Sequence, residues 1–141
     1  MLGIGFQLLL GEFTRRLAAA GQSDLRPVHG MAFQALRGSG ATATELAERL
    51  GVTKQAAGQL VDELEKRGYV RRAPHPGGGR RKLVVLTPAA TEHLDVAGRV
   101  LHGLEAELGT RADLPALRRE LSHLIGALHG DDSLPPLRPV W

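Results

Sequence analysis

Not one cysteine occurs among the 141 residues. Disulfides, thiolate metal sites, cysteine nucleophiles and thiol redox sensing are therefore excluded. No apolar run approaches the roughly 18 to 20 residues needed to cross a bilayer. The start, "MLGIGFQLLLGEF", is apolar but has no basic leader before it and no clear small-residue cleavage site, so it reads as mature protein. A cytoplasmic location without membrane contact is the expectation. The six histidines show neither H-x-x-x-H nor HExxH spacing. His93 and His102, with Glu105 one turn beyond, and His123 and His129 read as surface or interface histidines, and no metal is expected. Gly77 to Gly79 are followed by no Walker pattern and no immediate helix, so the geometry that cradles a nucleotide phosphate is missing. Isolated serines have no suitably spaced acid–base partners. An enzyme is not expected, nor a cofactor.

The last absence is local. Between Lys66 and Lys82 there is no acid, but there are seven basic residues: Lys66, Arg67, Arg71, Arg72, Arg80, Arg81 and Lys82. The net charge is +3, so the rest of the chain sums to −4 and is a mildly acidic body carrying one strongly basic feature. Such asymmetry suggests a polyanionic partner. The length fits one domain, and the 43% apolar content is enough for a real core.

Hydrophobic spacing predicts a first helix from Leu2 to about Ala20, with Leu2, Phe6, Leu9, Leu10, Phe13 and Leu17 on one face. Gly3, Gly5 and Gly11 weaken it, each by about 1 kcal/mol against alanine. A second helix starts at Pro27, runs through Val28, Phe33 and Leu36, and stops at "RGSG". In "ATATELAERLG", Thr42 stands three residues before Glu45, the spacing of a capping box, and Gly51 sits where a C-cap glycine belongs. Thr53 then caps "KQAAGQLVDELEKRG", whose Ala57, Leu60, Val61 and Leu64 face inward. Two short helices joined by a tight glycine-containing turn are a helix-turn-helix signature.

After Gly68 the period changes. "YVRRA" and "KLVVLT" are rich in β-formers and bracket "PHPGGGR", which reads as a long hairpin tip. Thr87 and Pro88 restart helix as N-cap and first-turn residue. Leu94, Ala97, Leu101, Leu104 and Leu108, and then Leu114, Leu117, Leu121, Leu124 and Leu128, follow the 3–4 rhythm of paired helices. "DDSLPPLRPVW" holds three prolines and is expected to be extended, with no role assigned to Trp141.

The fold class is thus mostly α with a small β-hairpin wing, in the order of a winged helix-turn-helix. An exposed helix fits the major groove of duplex DNA and its N-terminal residues reach base edges. Removing the buried set leaves Thr53, Lys54, Gln55, Gly58, Gln59 and Asp62 outward. Lysine suits guanine or phosphate, and glutamine can pair bidentately with adenine. Arg80 and Arg81 at the tip are candidates for the minor groove, with Arg71, Arg72 and Lys82 nearer phosphates. A solvated basic loop, or a hairpin that docks an acidic protein in an interaction module, is the competing reading. Phe13, His29 and Phe33 are candidates for lining an effector pocket, with packing as the plainer role.

"TELAERLGVTKQAAGQLVDELEKRGYVRR" followed by "PGGGRRKLVVLTPAA" resembles the core of the MarR family of bacterial transcription regulators, over roughly residues 40 to 92. The resemblance implies a homodimer held by residues 1–21 and 88–129, a DNA-binding region at 27–87 and a tail at 130–141. It further implies a pseudo-palindromic operator, repression, and a small aromatic effector. Two features depart from the family pattern. Gly78 stands where the wing usually has an aspartate two positions before its first arginine, which implies a looser tip. Ala56, Ala57 and Gly58 replace the usual Ser, Thr or Val, which implies less direct base readout.

Overall fold

The structure, a computed structural model, describes residues 1–130. The expected tail and Trp141 lie outside the described residues apart from Gly130. Six helices and one hairpin follow in chain order: α1 (Leu2–Ala19), α2 (Pro27–Leu36), α3 (Ala43–Leu50), α4 (Lys54–Lys66), β1 (Val70–Pro74), β2 (Lys82–Leu86), α5 (Pro88–Gly109) and α6 (Leu114–His129). Among the described residues no helix is long and apolar enough to cross a membrane.

Local chemistry sets most of the boundaries. Thr42 Oγ1 accepts from the Glu45 amide at 3.2 Å, while Glu45 Oε2 accepts from the Thr42 amide at 2.7 Å. This reciprocal pair satisfies two orphan donors at the start of α3. Gly51 closes α3 in the left-handed region at φ 66, where a side chain would be strained. Two residues later Thr53 Oγ1 accepts from the Ala56 amide at 3.1 Å and opens α4. Thr87 behaves differently from the expected N-cap. It occupies the position before α5, but its hydroxyl donates backward to the Gly68 and Tyr69 carbonyls at 2.7 and 3.0 Å. Those carbonyls lie where the chain leaves α4, so Thr87 ties the two ends of the hairpin together.

β1 and β2 are antiparallel, with Val70 opposite Leu86 and Pro74 opposite Lys82. A short bridge adds Ala41 to β2: its amide donates to the Val84 carbonyl at 3.1 Å, and the Val84 amide returns the bond at 2.8 Å. The core lies beneath the hairpin, where Phe33 and Leu36 of α2, Leu46 and Leu50 of α3, Val61 and Leu64 of α4, Val70 and Val84 are all buried. Phe33 stands at its centre, with ring centroids 5.5 Å from both Tyr69 and His93.

His93 is therefore a core residue rather than a surface or interface histidine: it is buried on α5 and its Nδ1 lies 2.8 Å from Gln22 Oε1. His29 is buried as well. Its Nδ1 accepts from the Arg26 amide at 3.0 Å, which leaves the ring proton on Nε2, 3.4 Å from Glu63 Oε1. Burial pushes the pKa of both rings down, with Glu63 opposing the shift at His29 and Asp24 at His93. Because the folded state prefers the neutral rings, the unfolded chain binds more protons below about pH 6.5. Stability conferred by the neutral histidines is complete above that pH and is lost as pH falls through the lowered folded-state values. The thermal midpoint is expected to decline between pH 7 and pH 5, and more shallowly in His93→Gln. Parallel profiles for the two proteins would remove His93 from the acid sensitivity.

Candidate nucleic-acid interface

On α4 the inward set Ala57, Leu60, Val61 and Leu64 is buried. This anchoring turns the remaining positions out. Thr53, Lys54, Gln55, Gln59 and Asp62 are exposed and Gly58 is half-buried. Gln55, Gly58, Gln59 and Asp62 recur at steps of three and four, so they form one stripe along the helix. No atom lies within 4 Å of where a Cβ on Gly58 would be. Glycine in a helix interior costs about 1 kcal/mol against alanine, and here it leaves backbone open to a close approach. The side chains of Lys54, Gln55 and Gln59 make no hydrogen bond or ion pair among the described residues. The Thr53 hydroxyl is engaged in capping.

The wing tip turns on His75, Pro76, Gly77 and Gly78. The Gly78 amide donates to the His75 carbonyl at 2.9 Å, and the Gly77 amide donates to His75 Nδ1 at 2.9 Å. Gly78 and Gly79 follow at φ 71 and 79. A residue with a side chain at either position would be strained. The His75 ring thus supplies a side-chain acceptor that braces the tip. This role went unnoticed in the sequence, though a His two residues before the glycine run is the available signal. Arg71, Arg80, Arg81 and Lys82 are exposed, and none of their side chains has a hydrogen-bond or ion-pair partner among the described residues. Four cations thus project from one hairpin with nothing within the described protein to neutralise them.

Arg72 differs from the other four. Its guanidinium pairs with Asp62 Oδ1 at 2.6 Å and with Glu65 Oε2, and its amide donates to Glu65 Oε1 at 3.1 Å. These hydrogen-bonded carboxylates, Asp62 foremost, raise the guanidinium pKa further. The side chain placed near phosphates by sequence is spent on α4 in this structure. The same contact brings β1 against the outward stripe of α4, so the wing rises beside the helix face.

The three effector-pocket candidates are not brought together on an open surface. Phe33 and His29 are fully buried, each with 0% of its surface exposed. Phe13 is half-buried on α1. A network missed in the sequence lies nearby. Glu63 holds Arg26 at 2.8 Å and Arg67 at 2.9 Å, and Arg67 also donates to the Asp24 carbonyl at 2.5 Å. The α1–α2 loop is thereby tied to the C-terminal half of α4. Only the i,i+4 spacing of Glu63 and Arg67 was visible beforehand.

Outside this region the molecule carries apolar surface. Leu2, Ile4, Phe6, Leu8 and Leu9 of α1, Leu101 of α5, and Leu117, Leu124 and Leu128 of α6 are exposed, and α6 buries no residue at all. Among the described residues α6 packs only lightly, against α5, and its amphipathic pattern leaves apolar surface uncovered.

Comparison with known proteins bears on both regions. Residues 23–81 match the model of the MarR family. The LexA repressor of Deinococcus radiodurans is 33% identical in an alignment covering 77% of this chain and 60% of that protein. A second curated relative is 40% identical over 38% of this chain, which spans 34% of its length. The chain thus spans about a third to three-fifths of these curated relatives. The crystal structure of RV1404 from Mycobacterium tuberculosis superposes with a TM-score of 0.77 at 21% identity, covering 92% of this chain and 90% of that one. The DNA complex of MepR from Staphylococcus aureus superposes with a TM-score of 0.69 at 17% identity, covering 89% and 94%. At such identities these structures establish the likeness of fold.

Proposed function

Because the chain belongs to the MarR family of winged helix-turn-helix regulators, we propose that it is a homodimeric repressor that binds a pseudo-palindromic duplex operator and is released by a small effector. The observation carrying this reading is the pairing of an uncommitted helix face with four unneutralised cations on the adjacent wing. Lys54, Gln55, Gly58 and Gln59, led by Thr53, form the major-groove surface. Arg80 and Arg81 enter the minor groove, and Arg71 and Lys82 hold phosphates. MepR, similar in fold, has been crystallised on DNA. The exposed leucines of α1 and α6 supply the dimer surface, which places two reading helices on one duplex. No part of the reading assigns a catalytic role to any residue.

An effector using Phe13, His29 and Phe33 would have to open the junction between α1, α2 and α5, since two of those side chains are sealed. The loop that would move carries Gln22, bonded to His93, and Asp24 and Arg26, bonded to α4. Opening there disturbs the reading helix directly.

The test is enrichment of duplexes from a randomised pool, followed by titration of the selected duplex and a shuffled one of equal length. Binding is expected to weaken steeply with salt, with a slope that tracks the phosphates neutralised. In Lys54→Ala combined with Gln55→Ala, the affinity for the selected duplex is expected to fall by about tenfold or more, from a loss of about 1–3 kcal/mol of base discrimination per contact. The shuffled duplex should lose much less. Equal losses on both would take α4 out of sequence reading, and a salt-insensitive interaction would favour docking of the hairpin on a protein.

A further inference from the structure

We propose that Arg72 is a positioning residue: clamped between Asp62 and Glu65, it sets the angle between wing and reading helix, and so determines sequence preference without itself touching DNA. This rests on the DNA-binding reading above. Three bonds converge on one junction. The Arg72 guanidinium reaches Asp62 and Glu65, and the Arg72 amide fixes Glu65 from the strand side. The planar fork of arginine can hold two carboxylates three residues apart on a helix, which a lysine point charge cannot do with fixed geometry.

The location gives the clamp leverage. Asp62 continues the stripe of Gln55, Gly58 and Gln59, and 70% of its side chain is exposed. Left unpaired, that carboxylate and Glu65 would repel the phosphates that Arg71 and Lys82 attract. Arg72 is two residues from the proline that begins the tip, and it pairs with Val84 of β2 in register. Val84 is in turn bridged to Ala41, next to the capping residue of α3. A change of tilt in the strands beyond the clamp would swing Arg80 and Arg81 relative to α4 while Val70 and Val84 stay in the core. The clamp is exposed enough that it adds little to stability, as ion pairs at the surface do. Its worth lies in geometry.

The experiment measures the ratio of affinities for the selected and shuffled duplexes in Arg72→Lys, Arg72→Ala, and Asp62→Asn combined with Glu65→Gln, each with its thermal midpoint. The amide pair removes two negative charges, so affinity for the shuffled duplex is expected to rise. The ratio is nonetheless expected to fall roughly tenfold, as it should in Arg72→Lys, which keeps the charge. Arg72→Lys combined with the amide pair should lower the ratio no further than either alone, because one clamp is lost in each case. Thermal midpoints should stay near that of the parent. The proposal is overturned if Arg72→Lys and the amide pair leave the ratio unchanged while Arg72→Ala weakens both duplexes equally and reduces the salt slope. Arg72 would then be an ordinary phosphate ligand. If the parent protein enriches no duplex at all, the DNA reading itself falls, and this inference with it.

Discussion

Phe33→Ala is expected to reduce the free energy of unfolding by about 3–5 kcal/mol, the usual cost of truncating a buried aromatic side chain. Phe33 has no exposed surface and touches two other rings, each at 5.5 Å. Those rings belong to separate elements, Tyr69 to the base of the hairpin and His93 to α5. The cavity left by alanine is therefore bounded by three separately anchored segments and cannot collapse by the shift of one. Total stability of a domain is typically only about 5–15 kcal/mol, so the variant should be marginal. A fall in thermal midpoint of roughly 10 °C or more, at matched protein concentration, is the corresponding thermal result. Phe33→Leu, which retains most of the volume, should lose much less. Chemical denaturation of the three proteins checks the order. A loss below about 1 kcal/mol in Phe33→Ala would identify the site as a yielding wall. That outcome would restore Phe33 as an effector-pocket residue.

The same residue shows how far the sequence could be read. Periodicity placed Phe33 on the inner face of α2, but periodicity cannot distinguish a core position from a pocket lining. Helix ends were legible where the determining bonds are local. Thr42 with Glu45, Gly51, and Thr53 act within four residues of themselves, and the structure has them in the roles their spacing indicates. The obscure features depend on contacts distant in the chain. Thr87 follows the residue-type rule for a cap, yet its hydroxyl is drawn to carbonyls 18 and 19 residues earlier. From sequence His93 reads as a surface or interface histidine and His29 as a packing or pocket residue; burial beside Gln22 and Glu63 is visible only in the fold. Gly40 looked like part of a helix stop. In fact a Cβ there would meet the Val84 carbonyl oxygen at 2.4 Å, so glycine is what admits the bridge to β2. Within the candidate interface, the composition of the wing revealed its charge but not its division of labour. Arg71 and Arg72 are neighbours of the same type, and strand alternation points them to opposite faces. Only the packing of α4 against β1 assigns one to carboxylates and leaves the other free.

Replacing Arg80 and Arg81 together by alanine is expected to lower affinity of a dimer for a selected duplex by about a thousandfold or more at moderate salt, taking roughly 1–3 kcal/mol for each of the four arginine contacts. Neither side chain pairs with any described residue, so the thermal midpoint should not move. The wing strands keep their register and the tip keeps its His75 bonds, since neither arginine supplies them. In a dimer the change removes four cations, and the salt dependence shows where they act. Cations that neutralise phosphates release counterions, so each one lost should reduce the logarithmic slope by about 0.9. Arginines in a narrow minor groove respond in addition to groove width, which is smallest in A-tracts. Substituting G·C pairs at the wing-facing steps of the duplex should then weaken the parent protein more than the double variant. Arg80→Ala alone should show the same pattern in smaller measure, because Arg81 remains on the wing. An unchanged titration in the double variant would remove the wing from DNA binding, and would leave its uncompensated charge available for an acidic protein surface.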